Sequence, residues 1–140
     1  MLKPIRWKTF PRDFLVIQLG FILFGFAIAI MIRANLGTSP WAVFEVAMAE
    51  ILGITPGMMT ILDGFFVLTI ALSLREKIGW GTLGNILSIG PWIDVALSLL
   101  SPVEGNLPVQ IAMLLLAVGM MGWRARFTLV WMRAQDRGIP

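Results

Sequence analysis

A single carboxylate, Asp63, interrupts the apolar run Met58–Leu74. At the centre of a membrane helix an acid costs roughly 2.5–3.5 kcal/mol on insertion scales, so it predicts a ligand or proton site or a structural partner. Arg33 is the cation available for the second reading. Another polar group follows within the apolar segment 81–100: Asn85, Gly90-Pro91 and Asp94. Pro91 removes a backbone donor and frees a carbonyl about one turn earlier, near Leu87. One reading is a helix interrupted near its middle that lines a solute or ion path. The other is a packing kink, with Asp94 reaching interfacial water from about 9 Å below the helix end. Cost favours convergence of Asp63, Asn85 and the Gly90-Pro91 break on one pocket roofed by the Asn35–Trp41 loop. There a freed carbonyl, an amide and a carboxylate can satisfy one another or a ligand. Asn35, Asp63, Asn85, Gly90, Pro91 and Asp94 are therefore the candidate binding residues. Glu45 and Glu50 lie five apart, about 140° around a helix, and cannot act as one acid/base pair. Glu45 is the better interior candidate, because Ala42 and Ala49 share its face and permit close approach.

The residue inventory excludes much else. With no Cys and no His, disulfides, thiolate chemistry, imidazole-ligated metals and His-assisted nucleophiles are ruled out. There is no glycine-rich phosphate loop, serine elbow or metal-ligand cluster, so the sequence predicts neither an enzyme nor a cofactor or metal. The nine Met residues read as fillers of irregular gaps, with a soft-metal path as the alternative.

Positioning these groups falls to helices in lipid. Of the 140 residues, 58% are hydrophobic and only 14% charged, and a soluble domain of this size could not hide that much apolar surface. The reading is an all-α polytopic membrane helix bundle of about four membrane segments plus a short re-entrant or interfacial helix. Phe14–Ile32 is an uncharged run of 19 residues, long enough to cross roughly 28 Å. Lys3, Arg6, Lys8 and Arg12 before it resemble the basic start of a signal peptide. The run is too long for that, and Arg33-Ala34-Asn35 is no cleavage site, so an uncleaved first span is favoured. Ser39-Pro40 and Thr55-Pro56 each read as a helix cap followed by proline at the first helical position. The helix 41–54 between them covers only about 21 Å and carries two acids, so it predicts a re-entrant or interfacial element. Further spans are expected at 58–74, 81–100 and 108–123, making 1–123 a single membrane domain. Arg124, Arg126, Arg133 and Arg137 mark 124–140 as a basic cytoplasmic tail. Gly20, Gly25, Ala27 and Ala29 on the first span, and Gly119 and Gly122 on the last, offer small faces for helix packing.

Charge sets the orientation. If 41–54 enters and leaves on one side and the N-terminus is cytoplasmic, Lys3, Arg6, Lys8, Arg12, Arg75, Lys77, Arg124, Arg126, Arg133 and Arg137 all lie inside. Only Arg33 of the eleven Lys and Arg residues is left outside, as the positive-inside rule requires. Topology thus accounts for the pI near 10.2 and removes the case for nucleic acid. Trp7, Trp41, Trp80 and Trp123 fall at predicted span ends, where indole favours the interface.

The stretches Ala34-Asn35-Leu36-Gly37-Thr38-Ser39-Pro40-Trp41, Gly53-Ile54-Thr55-Pro56-Gly57, Gly79-Trp80-Gly81-Thr82-Leu83-Gly84-Asn85 and Ile89-Gly90-Pro91-Trp92-Ile93-Asp94 resemble, in order and spacing, the YczE-like, YitT-related bacterial membrane proteins. The resemblance covers roughly residues 12–121. It implies a multi-span inner-membrane protein of poorly defined activity, transporter-like by architecture. It also implies further spans opened by a Gly-Pro-Arg-Asp run, from which Gly122–Pro140 departs in the manner of a truncated or frameshifted product. Two functional classes follow: a transporter-like protein, favoured by the break and the intramembrane acids, and a non-transporting accessory or assembly component, favoured by small size. Besides the lipid bilayer, a second copy or another membrane protein is the expected partner, since four segments leave polar backbone at membrane depth uncovered.

Overall fold

The computed structural model describes residues 10–76 and 80–136; Lys3, Arg6, Trp7, Lys8, Lys77 and Arg137 lie outside them. The described chain is all-helical: α1 (Phe10–Ala34), α2 (Pro40–Leu52), α3 (Pro56–Ser73), α4 (Trp80–Leu99) and α5 (Leu107–Asp136). Three stretches, Phe14–Ala34, Pro56–Ser73 and Gly81–Leu99, are long and apolar enough to cross a membrane, and Leu107–Trp123 within α5 is a shorter apolar helix. Most of each stretch is unburied, which suits a chain whose solvent is lipid.

Local chemistry sets the helix ends. Ser39 accepts from the Ala42 amide at 3.2 Å and Pro40 opens α2. Gly53, at φ +66°, turns the chain out of α2 while its own and the next amide reach back to the Glu50 and Ala49 carbonyls; glycine takes this left-handed conformation without strain. Two residues later Thr55 accepts from the Met58 amide at 3.1 Å and Pro56 opens α3.

Contacts between helices fix their directions. Arg33 Nη2 donates to the Leu97 carbonyl at 2.6 Å, and Gly25 sits against Trp92, so α1 and α4 run parallel. Gly57 meets Gly90 while Gly64 meets Ile86, so α3 runs opposite to α4. Ala27, Ile30 and Ala117 share a core cluster with Met113, and α5 packs along α1. The end of α1, the start of α3, the end of α4 and the start of α5 consequently share one end of the bundle.

That end is tied by polar contacts. Arg33 serves a last-turn carbonyl of α4 that has no helical partner, the Val103 amide donates to the Arg33 carbonyl at 3.1 Å, and Gln110 Nε2 donates to the Val103 carbonyl at 2.9 Å. Asp94 accepts from the Gly57 amide at 2.8 Å and from the Thr55 hydroxyl at 2.5 Å. We call it the capped end, and the end near Ser73 and Trp80 the open end.

No interruption occurs at Gly90-Pro91: α4 is one helix with Pro91 inside it. The proline removes a single donor, and the backbone around it is clamped, Gly90 by Gly57 and Ile61, and Trp92 by Gly25. The apolar helix expected at 108–123 is present as Leu107–Trp123, and α5 continues beyond it to Asp136. The abrupt change in polarity there carries no helix stop, because Arg, Ala, Gln and Leu are good helix formers. Gly119 and Gly122 have open space where a Cβ would stand, so they make no close packing contact.

Candidate functional site

Helix α2 begins inside the bundle. Ser39, Trp41 and Ala42 line the same cavity as Phe24 and Ile28 of α1 and Thr60, Asp63, Gly64 and Val67 of α3, and Ile28 lies about 9 Å along the axis from the end of α1. Residues 35–39 therefore run back from the capped end to mid-depth, and α2 climbs out again beside α3, its principal neighbour. This cavity, about 590 Å³, extends from the start of α2 to Ala71, Glu76 and Thr82 at the open end. Asn85, Ile86 and Ile89 of α4 complete its wall.

Its walls are mostly apolar, and its charged groups are all acids: Glu45, Asp63 and, at the mouth, Glu76; no Lys or Arg lines it among the described residues. Glu45 and Asp63 are 7% and 6% exposed. Glu45 arrives on the face of α2 that also buries Ala42 and Ala49, while Glu50 is exposed. The Thr60 hydroxyl oxygen lies 3.1 Å from Glu45 Oε2 and 3.0 Å from the Pro56 carbonyl. Burial pushes the Glu45 carboxyl up from its ordinary range, against the Thr60 contact, and the nearby charge of Asp63 pushes the same way; α2 itself is not among the spanning stretches. Asp63 has no hydrogen-bond partner among the described residues.

The six candidate residues divide. Asp63 and Asn85 line the cavity together, beside Ser39 and Trp41 of the loop expected to roof it. Asn35, in a left-handed conformation at φ +51°, lies instead in a groove of about 270 Å³ on another side of α2, with Met31, Val43 and Glu50. Gly90 is buried against α3, and Pro91 is exposed on α4 away from the cavity. Asp94 holds the start of α3, where free helix amides attract a carboxylate. Arg33 bonds to Leu97, with its Nε buried and unpartnered; it makes no ion pair with Asp63. Thr60 was missed, although Glu45 and Thr60 stand eight and seven residues from the Gly53 turn of an antiparallel helical hairpin, a spacing that brings two helices' side chains level.

A family profile matches residues 11–129, and therefore covers most of the chain, including the start of the Arg-rich stretch of α5. The chain belongs to the DUF6198 family. DUF6198 is a family of unknown function. No curated protein and no solved structure matches the chain. The DUF6198 profile starts within the first turn of α1 and takes in all four helices that wall the cavity.

Proposed function

We propose that this DUF6198 chain is a permease-like component of the bacterial inner membrane, binding a small solute from the cytoplasmic side rather than catalysing a covalent reaction. One observation carries the reading: a cavity with two buried acids runs from the open end and stops at mid-depth against the start of a helix that enters from the opposite end. Discontinuous helices of this kind close the solute paths of membrane transporters. The motifs quoted above support kinship with YczE-like, YitT-related proteins within that assignment.

The open end is the cytoplasmic one. Among the described residues, Arg12, Arg75, Arg124, Arg126 and Arg133 belong to helix ends that point to it, and Arg33 sits at the capped end. The apolar part of α5 then serves as a fourth span, and the N-terminus is cytoplasmic. Val43, Phe44 and Ile51 of α2 are exposed, and a second copy of the chain or another membrane protein covers that face.

Reconstituted proteoliposomes holding a pH-sensitive dye, challenged with panels of small cations, amino acids and sugars, test the reading. Solute-dependent flux that is lost in Asp63→Asn is expected. Absence of flux across all panels from folded protein, together with stable co-purification of one membrane partner, would favour the accessory role instead.

A further inference from the structure

We propose that the cavity takes an organic cation, an ammonium group carried on an apolar body, with Asp63 as its counter-charge. The inference deepens the permease reading and rests on the same cavity.

The argument starts from hydrogens. Thr60 has one hydroxyl proton but two oxygen neighbours, the Pro56 carbonyl at 3.0 Å and Glu45 Oε2 at 3.1 Å. A carbonyl can only accept. The Thr60 hydroxyl donates towards both, so Glu45 already has a polar partner within the protein.

Asp63 is the remainder. It is more than nine-tenths buried, lines the cavity and has no hydrogen-bond partner among the described residues. An ionised carboxylate in such a place calls for a positive ligand. The start of α2 does not offset it as an anion site, because Pro40 has no amide proton and Ser39 already takes that of Ala42. The remaining walls select the kind of cation. About 590 Å³, lined chiefly by apolar residues that include Phe24 and Trp41, exceeds what a bare metal ion needs and suits an alkyl or aryl ammonium whose charge also meets aromatic faces.

The titratable groups facing the site are Glu45 from α2, Asp63 from α3 and Glu76 at the mouth; α1 and α4 contribute none among the described lining residues.

Calorimetric titration of the purified protein in nanodiscs tests this, using benzyltrimethylammonium, its uncharged isostere neopentylbenzene, and phenylacetate. Wild type binds the ammonium and binds neither of the others comparably. Asp63→Asn weakens ammonium binding by about tenfold or more, whereas Glu50→Gln, at an exposed acid of α2 outside the cavity lining, leaves it unchanged. Equal binding of the uncharged isostere, or absence of ammonium binding by wild type, overturns the proposal without depending on whether any variant folds. Cation binding without flux in proteoliposomes would sink the permease reading alone, and flux of neutral or anionic solutes without cation binding would sink this one alone.

Discussion

Substitution of Gly57 by alanine probes the tightest contact between helices. A Cβ at Gly57 would land on the carbonyl oxygen of Gly90, with Asp94 Cγ at 2.5 Å behind it. The first obstacle is backbone, so α3 and α4 must separate by something on the order of 1 Å to restore contact distance. That displacement takes the 2.8 Å bond between the Gly57 amide and Asp94 to about 3.8 Å, beyond hydrogen-bond range. Overpacking typically costs 1–3 kcal/mol, and a polar contact inside a membrane protein averages about 0.6 and reaches about 1.7 kcal/mol. Gly57→Ala is therefore expected to destabilise the fold by about 2–4 kcal/mol. Gly119→Ala, where nothing lies within 4 Å, should be neutral or stabilising by up to about 1 kcal/mol through helix propensity. Unfolding in mixed micelles with increasing SDS, followed by tryptophan fluorescence, measures both. Equal stability of the two variants would refute the Gly57–Gly90 crossing and the direction assigned to α3 against α4.

Two further outcomes follow from topology and assembly. A cysteine at position 76, in a chain that otherwise has none, should resist an impermeant thiol reagent in intact spheroplasts and react after permeabilisation; labelling from outside would invert the orientation. Single-molecule photobleaching in native-like nanodiscs should show more than one copy, unless another membrane protein co-purifies; a well-folded, solitary monomer would remove the case for a partner on α2.

What could be read from sequence was what is decided locally. The uninterrupted apolarity of Phe14–Ile32 and the two cap-plus-proline starts depend on residues a turn apart, and α1, α2 and α3 begin or run where those signals lie. The continuity of α4 through Pro91 was not legible, because it depends on the glycines that α1 and α3 present to it. Membership of Asp63 and Asn85 in one cavity followed from the cost of dispersing polar groups, but the same argument misplaced Gly90, which is engaged elsewhere, as is Asp94. These two are spent on the α3–α4 contact, a partnership between residues 37 apart. Asn35 went astray for another reason. Its position in the sequence adjoins Ser39, yet the chain reverses between them, so the two face different sides of α2.

The inward run of residues 35–39 bears on how the protein is made. Membrane insertion selects segments by apolarity and length as they emerge, and a helix of 13 residues with two acids fails that selection. The first helix and the third can each be integrated as they appear, whereas the second is left at the far surface until α4, on which both pack, has joined them. Only then can its leading end be drawn into the cleft, carrying Ser39, Trp41 and Glu45 with it. The floor of the cavity is thus laid from the side opposite its mouth, and a newly inserted chain is a membrane protein before it has a binding site.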